Sequence, residues 1–518
     1  MNLKIRNTIF FLLVFFLAFN NIPKPLQLNF IGGPVGSKLV VYPLLAAFAY
    51  TFYCQYKCKN IFADVKPLLK YVGVFICVML LSTIVGLYNY PYYDLVLNGP
   101  VDQIEKLPKV LAFCHAHGFN VDGKQLMQVW IIARQLKGVL MEAFWCFGGA
   151  YMVYLMCKDN RKKTTDIIGN AILCSAVIII VYSLIEVAFL AHSNVAAKIL
   201  STINPYIHAI KDDGKWWPPL LWNGQLRSIF AEPSYYGIYM AFALPWFWYE
   251  ICNKKSKLYV IVTFILTFFL FLTKARTAFM LHLGELVILS LCLVLFFRNK
   301  TAFKQLGKVV AISCVAFIAS NIFIAQCMNK QGTQAISIET SMAEYVESNA
   351  ASLANPDKRS NRARYSVMEA DFKIGLDHPF LGVGKGLRSS YMPDYFSEKA
   401  LQNGEVKMWL RFREKLGIMR SGFPTLGEYT SRFAESGILG LGIFLLPIFV
   451  LLRKLYTQIK TSTDKMLYIT FAVSFCGILA AGIGDSLNIT YCYWFLLGLG
   501  YAIAFGNHTQ EKDSHESA

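Results

Sequence analysis

The sequence predicts an all-α polytopic membrane protein, and three observations carry this prediction. Hydrophobic residues make up 55% of the 518 positions and charged residues only 16%, whereas a soluble domain carries about 25% charged residues. Apolar runs of roughly 20 residues, the length that crosses a bilayer, recur along the whole chain. Lysine and arginine gather in every second loop between these runs, which is typical of loops on the cytoplasmic side.

The apolar runs indicate about twelve membrane spans, at residues 8–20, 38–53, 68–89, 138–157, 167–190, 229–251, 258–273, 277–297, 309–325, 434–452, 466–483 and 489–505. Both termini belong to the basic set of loops, so we expect both in the cytoplasm.

These spans divide the chain into four parts. The first two are residues 1–220, with N-terminal spans and outer loops, and residues 221–325, with spans six to nine and two candidate motifs. Residues 326–433 form a large, mainly helical outer loop, and residues 434–518 hold the last spans and a cytoplasmic tail.

The formal net charge of +18 would suggest a nucleic-acid partner in a soluble protein. Here the basic residues lie mostly in short loops between apolar runs, so they are topology signals and we expect no nucleic-acid partner. The large outer loop is too polar to cross a membrane and too long to be an idle connection. We therefore expect the functional residues on the outer side.

The first candidate motif runs from Arg227 to Tyr235 and stands where an outer loop enters the sixth span. Proline favours the first turn of a helix, so a helix is expected to begin at Pro233. Glu232 then lies near a helix N-terminus, where we expect it to be ionised and close enough to Arg227 to form an ion pair. The structural alternative is an interfacial ion pair with a helix cap, although ionisable groups at membrane depth are usually functional.

The second motif is the short outer turn that contains Lys274 and Arg276. Topology does not explain two cations on this side of the membrane, and an outward-facing arginine can bind phosphate through two hydrogen bonds. The alternative is that both side chains reach towards lipid headgroups.

The third motif lies in the large loop and extends from Arg364 through His378 to Gly386. Its glycines at 382, 384 and 386 predict a turn, because a bare G-x-G-x-G without a preceding strand is weak evidence for a nucleotide site. Histidine titrates near neutrality, so His378 could act as a base, the alternative being a loop histidine without a role.

A fourth segment, residues 428–446, enters the tenth predicted span. The four motifs together resemble the O-antigen ligase and polymerase family of bacterial envelope proteins. The resemblance rests on their order and spacing around one large outer loop, and it covers roughly residues 220–450. The matching pieces are RSIFAEPSYYG at 227–237, TKARTAF at 273–279, R-x10-G followed by DHPFLGVGKG within 364–386, and EYTSRFAESGILGLGIFLL at 428–446.

The resemblance implies a fold like the C-type membrane glycosyltransferases and a location in the bacterial inner membrane. It also implies substrates linked to undecaprenyl pyrophosphate at the periplasmic face. Family members transfer a glycan from one lipid carrier to a hydroxyl group. The acceptor is a new lipid-linked repeat unit in polymerases, lipid A-core in ligases, and a protein hydroxyl in a third branch. A chain-length regulator protein is a further candidate partner.

We expect a polymerase of O-antigen or exopolysaccharide, with a ligase or protein O-oligosaccharyltransferase as the alternative within the family. Ligases of the family usually carry a His-Asn pair shortly before the tenth span. Residues 425–429 contain no histidine, which favours the polymerase. A lipid-linked oligosaccharide flippase is the alternative of another class, but its path would need polar groups from both faces.

The pyrophosphate becomes negatively charged as the glycosidic bond breaks, and fixed cations in a site of low dielectric stabilise that charge best. We expect Arg227 and Arg276 to bind it, with Lys274 beside them. Arg364 is expected to orient the large loop or the acceptor glycan. Because arginines supply the positive charge, no metal ion or cofactor is expected.

The acceptor hydroxyl needs a group that takes its proton. The candidates are, in order, Glu232, His378, Glu428 and Glu435. Glu428 occupies the stretch in which ligases carry their histidine, so it could replace that base.

Overall fold

The computed structural model describes residues 2–31, 35–58, 61–62, 65–99, 104, 107–210, 218–254, 256–297, 300–328 and 359–506. Within these ranges every regular element is helical, which confirms the predicted all-α class. Residues 329–358 of the predicted outer loop lie outside the described part of the chain.

Nine α-helices lie in the first half of the described chain. In chain order they are α1 (Leu3–Phe15), α2 (Val41–Cys58), α3 (Val65–Tyr88), α4 (Tyr93–Leu97), α5 (Leu107–Ala116), α6 (Gly123–Glu142), α7 (Gly149–Cys157), α8 (Arg161–Leu190) and α9 (Asn194–Ile207). A π-helical turn, Ala143–Gly148, joins α6 to α7 without a break in the rod.

The helices of the second half carry the predicted motifs. They are α10 (Pro233–Lys254), α11 (Lys257–Leu272), α12 (Arg276–Phe296), α13 (Lys300–Phe323), α14 (Arg359–Asp377), α15 (Arg388–Tyr395), α16 (Glu398–Leu401), α17 (Gly404–Leu416), α18 (Glu428–Thr461), α19 (Lys465–Gly484) and α20 (Cys492–Phe505). Helix α10 begins at Pro233, as predicted from the preference of proline for a first helical turn.

Seven helical stretches of the described chain are long and apolar enough to cross a membrane. They are Val65–Tyr88, Gly123–Cys157, Arg161–Leu190, Arg276–Phe296, Phe303–Met328, Glu428–Thr461 and Lys465–Gly484. Shorter apolar helices include α11 and α20. Every predicted span overlaps a helix, so the polytopic prediction is confirmed, while the number of crossings and the side on which each loop lies stay predictions.

The described residues form two hydrophobic cores. The larger one joins the membrane helices and includes Phe242, Leu270 and Trp494. The smaller one joins α14–α17 to the segment around Tyr90 and to Met127 at the start of α6. The described part of the predicted outer loop therefore has a hydrophobic core of its own.

Helix α18 is broken at Gly437, whose φ of 61° lies in the left-handed region. Segment 379–384 fills the break. Val383 N donates to the Ala434 carbonyl at 2.9 Å, and Ile438 N donates to the Pro379 carbonyl at 2.8 Å. Broken backbone inside a membrane bundle must find such internal partners because lipid offers none.

The glycines of segment 382–386 serve this docking. Gly382, Gly384 and Gly386 all have positive φ angles, of 65°, 100° and 77°, which only glycine adopts at low cost. A Cβ on Gly382 would overlap the backbone of residues 434–436. The prediction that these glycines form a turn is confirmed.

Candidate functional site

Four ionisable side chains from distant parts of the sequence meet at one end of the bundle. They are Glu232 before α10, Arg276 at the start of α12, Arg364 in the first turns of α14, and Asp485 directly after α19. We call this group the open cluster, because Glu232, Arg276 and Arg364 are only partly buried.

Arg364 and Asp485 form the centre of the open cluster. The Arg364 Nη1 atom donates to the Gly484 carbonyl at 2.6 Å and lies 3.3 Å from Asp485 Oδ2. Burial alone would lower the pKa of Arg364, but Asp485 and Glu232 outweigh burial and raise that pKa. Burial raises the pKa of Asp485 to about 6, even though Arg364 opposes this rise. Asp485 is therefore a carboxylate at neutral pH that can accept a proton at modest cost.

Arg276 adds a second guanidinium to the open cluster, within electrostatic range of Arg364 and Tyr365. It is the first residue of α12, and the preceding N-cap residue, Ala275, has no side-chain acceptor for the first amides of the helix. A helix N-terminus carries a partial positive charge and suits phosphate groups. Arginine and helix end thus favour an anion at the same place.

Glu232 lies directly before α10 and interacts electrostatically with both Arg364 and Asp485. Ser234 Oγ donates to its carboxylate. Glu232 and Asp485 are thus two carboxylates around one guanidinium. The sequence alone did not indicate this arrangement.

Small residues bring these groups together. Gly237 of α10 packs against Ala278 of α12 so closely that a Cβ on Gly237 would overlap it. This contact holds the first turns of the two helices side by side, with Glu232 and Arg276 at the same end. Further along α14, Gly375 lies against the ring of Phe433 in α18, where a Cβ would not fit. The R-x10-G motif therefore joins a site arginine to the helix crossing that orients α14.

A second group of four charges lies nearby and differs from the first. Arg432 donates from Nε to Glu428 Oε1 at 2.6 Å and from Nη2 to Glu142 Oε1 at 3.0 Å. Lys385 donates to the other oxygen of Glu142. The side chains of Glu142, Glu428 and Arg432 are about nine-tenths buried, with exposures of 10%, 5% and 11%. We call this group the closed cluster.

Glu428, a predicted base, is occupied within the closed cluster. Its Oε2 atom accepts from Ser486 Oγ at 2.9 Å and from Leu487 N at 3.1 Å. Both of its oxygens therefore already have donors, and two of these donors belong to the residues that follow Asp485.

The predicted ion pair between Arg227 and Glu232 is wrong. The Arg227 guanidinium is buried and donates to the carbonyls of Pro219 and Leu220, at 2.8 and 2.9 Å. Burial lowers its pKa. The chain turns within the four residues that lie between Arg227 and Glu232, so sequence proximity did not bring the two charges together. With a side-chain exposure near zero, Arg227 is poorly placed for the predicted substrate contact.

The backbone of Arg227 is held as firmly as its side chain. The amides of Arg227 and Ser228 both donate to the carboxylate of Glu186, the Ser228 amide at 2.6 Å. Ser228 has a φ of 57°, unusual for a residue with a side chain. Glu186 thus fixes the segment that leads to Glu232.

Lys274 lies two residues before Arg276 with a φ of 47°. Its carbonyl accepts from Gln225 Nε2 at 3.3 Å, and burial lowers the pKa of its amine. Its predicted role in substrate binding stays a prediction.

His378 and Glu435, two predicted bases, lie away from the open cluster. His378 follows the end of α14, where its ring packs edge-on against Tyr391 at 5.8 Å. Arg364 is fourteen residues earlier on the same helix, a separation of about 21 Å at 1.5 Å per residue. Glu435 accepts from Gly386 N at 3.1 Å. His378 thus lies far from Arg364 along α14, and the roles of His378 and Glu435 as bases stay predictions.

Asp485 was missed by the sequence analysis, although a signal existed. It is the one Asp, Glu, Lys or Arg among residues 466–510. A lone carboxylate between two predicted spans resembles an ionisable group kept at membrane depth for function.

Comparison with known families gives one match. Residues 261–408 match the family described as O-antigen ligase. The match includes Arg276 and Arg364 but neither Glu232 nor Asp485. Among curated proteins, none matches the chain significantly. The family match confirms, over residues 261–408, the resemblance to the O-antigen ligase and polymerase family that the sequence motifs indicated.

Proposed function

We propose that this chain is a polysaccharide polymerase of the bacterial envelope. Its substrates are glycan repeat units carried on undecaprenyl pyrophosphate, which it joins at the periplasmic face of the inner membrane. The observation that carries the proposal is the meeting of Arg276 and Arg364 with two carboxylates at the first turns of α10 and α12.

In the proposed reaction the bond between the anomeric carbon and the pyrophosphate oxygen of the donor breaks. A hydroxyl oxygen of the acceptor glycan forms the new bond to that carbon, and its proton passes to a carboxylate. The lipid pyrophosphate leaves with the electron pair of the broken bond. Atoms and charge balance without any further reactant.

Arg276 and the N-terminus of α12 are our choice for binding the leaving pyrophosphate. Both favour negative charge before the reaction begins, and fixed donors of this kind stabilise developing charge without reorganisation. Arg364 contributes a second cation, which Asp485 holds at a defined position.

Asp485 is our choice for the proton acceptor. Its pKa of about 6 leaves it deprotonated at neutral pH, yet basic enough to accept a proton. Glu232, the first carboxylate predicted from the sequence, is the alternative. Glu428 is less suitable because both of its oxygens already accept hydrogen bonds.

A ligase is the second candidate function. It is favoured by the description of the matching family, O-antigen ligase, and disfavoured by the lack of a histidine at 425–429. The two candidates use the same donor and differ in the acceptor, so the acceptor decides between them.

The test uses the full chain in liposomes, supplied with a defined lipid-linked repeat unit. A polymerase turns this single substrate into a ladder of longer lipid-linked products. Arg276→Ala is expected to lower the rate about 10²–10³-fold. Lys373→Ala is the control, since Lys373 lies on an exposed face of α14 in a surface ion pair with Glu369.

Three results would count against the proposal. If Arg276→Ala formed the ladder of products at the normal rate, Arg276 would have no role in the reaction. Products that form only when lipid A-core is added would identify a ligase. Movement of the repeat unit across the bilayer without any new glycosidic bond would identify a flippase.

A further inference from the structure

We propose that the closed cluster is the device that positions Asp485. Glu428 acts directly on the backbone beside Asp485, and Glu142 acts through Arg432. This inference rests on the proposed function, because it concerns the residue to which we assign the proton transfer. It treats Glu428 and Glu142 as positioning residues that do not touch the substrate.

Asp485 stands at the end of helix α19, where the regular backbone stops. Helix α19 ends at Gly484 and α20 begins only at Cys492, and the segment between them is irregular. The Asp485 amide donates to the Ala481 carbonyl at 3.1 Å, so the helix holds this residue from one side only, and the residues that follow it need another support.

Glu428 supplies this support. Its Oε2 atom binds the two positions that follow Asp485, through Ser486 Oγ at 2.9 Å and the Leu487 amide at 3.1 Å. Hydrogen bonds to a charged group are stronger than neutral ones and better directed. Ser486 Oγ also accepts from Asn488 N at 3.2 Å, which tightens the same turn.

The position of Glu428 is itself determined by its neighbours. Arg432 lies one helical turn along α18, with its guanidinium 3.9 Å from the centre of the Phe444 ring. Glu142 holds the other side of that guanidinium, and Lys385 holds Glu142. Lys385 directly follows segment 379–384, which fills the break in α18. The chain of contacts thus runs from the docked outer segment to the turn that carries Asp485.

The alternative is that the charges of the closed cluster merely stabilise the fold. Buried ion pairs are often no better for stability than apolar residues of the same size, because burying charge is costly. In the closed cluster, Glu428 binds the residues next to Asp485, which suggests a role in positioning that carboxylate. Stability and positioning predict different kinetic signatures, so they can be separated.

The first experiment measures kcat, KM and the pH profile of Glu428→Gln and Glu428→Ala in liposomes with a lipid-linked repeat unit. The expected result for Glu428→Ala is a kcat lowered about 100-fold, with the KM for the repeat unit changed less than threefold. Gln keeps an acceptor for the Leu487 amide, so it should restore part of the loss. The acid limb near pH 6 should remain in both variants, because Asp485 is intact.

Ser486→Ala is the gentler variant, which removes one bond to Glu428 and leaves no buried charge unpaired. We expect a kcat lowered about three- to tenfold, in the same direction as Glu428→Ala. Glu369→Gln on the exposed face of α14 is the matched control and should keep the wild-type kcat.

The second experiment does not depend on activity. Hydrogen exchange of the Leu487 amide should be faster in Glu428→Ala than in the wild-type protein, and unchanged in Glu369→Gln. If the wild-type protein makes no polymer but this amide still responds, the proposed function fails and the structural link stands.

Other outcomes would overturn the inference. Loss of the acid limb in Glu428→Gln would make Glu428 itself the base. A raised KM with an unchanged kcat would make Glu428 a substrate contact. Unchanged kcat and unchanged exchange in both Glu428→Ala and Ser486→Ala would show that the closed cluster does not position Asp485.

Discussion

The open and closed clusters have the same composition, two carboxylates and two cations, and differ in how far these groups satisfy one another. In the closed cluster every charged group donates to or accepts from another member, and Glu142, Glu428 and Arg432 are almost fully buried. In the open cluster Arg364 and Asp485 are 3.3 Å apart, and Arg364 keeps a side-chain exposure of 33%. The guanidinium of Arg364 is therefore more accessible to an anion than that of Arg432 in the closed cluster, whose side chain is 11% exposed.

This difference separates two uses of charge in one membrane protein. A saturated, buried group of charges fixes geometry, because removing a member takes a partner away from another charge in a medium of low dielectric. A partly exposed group keeps the capacity to bind. Sequence motifs do not distinguish the two uses, since both clusters draw on segments that resemble the same family.

The largest effect is expected from Asp485→Asn, which tests the open cluster at its centre. The change keeps the shape of the side chain and removes its ability to accept a proton. We expect the polymerisation rate to fall about 10²–10⁴-fold, the range for loss of a general base.

The pH dependence supplies the control for this prediction. Wild-type activity should rise as the pH increases through about 6, because Asp485 must lose its proton to act and its pKa is about 6. In Asp485→Asn this rise should be absent. If the rise in activity near pH 6 were lost in Glu232→Gln and kept in Asp485→Asn, Glu232 would be the proton acceptor.

A smaller effect, on stability, is expected from Gly437→Ala, which tests the framework around the closed cluster. Gly437 has a positive φ, and a Cβ there would overlap the carbonyl of Phe380 in the docked segment. We expect a loss of roughly 2–4 kcal/mol in the free energy of unfolding, as for other strained and overpacked sites. Thermal unfolding in detergent measures it.

Gly442→Ala is the matched control in the same helix, since a Cβ on Gly442 meets nothing within 4 Å. Alanine is the better helix former, so this variant should be neutral or slightly more stable. Equal losses from both variants would mean that the break in α18 is not specifically filled.

The sequence predicted those features that depend on neighbouring residues. The start of α10 at Pro233 and the turn formed by the glycines at 382, 384 and 386 follow from local backbone preferences, and both are confirmed. The helical, polytopic class follows from composition and hydropathy. The family resemblance was visible because its motifs are short and ordered along the chain.

The site could be predicted only in part, because its members meet through tertiary packing. Arg364 and Asp485 are 121 residues apart, and nothing local indicates their contact. Arg227 and Glu232 are five residues apart, yet the left-handed φ of Ser228 and the carboxylate of Glu186 turn the chain between them. Short separation in sequence suggested an ion pair that the fold does not form.

The smallest effect is expected from Arg227→Lys. This variant tests whether burial separates a structural arginine from one that binds substrate. Arg227 lies in a family motif, but its guanidinium is buried and grips two backbone carbonyls, as a member of a saturated cluster would. Lysine keeps the charge but cannot reproduce the two directed bonds. We therefore expect a loss of about 1–2 kcal/mol in unfolding free energy, with the KM for the lipid-linked donor nearly unchanged. If instead stability is kept and KM rises at least tenfold, Arg227 binds the pyrophosphate, and burial is not a sufficient criterion for separating scaffold from site.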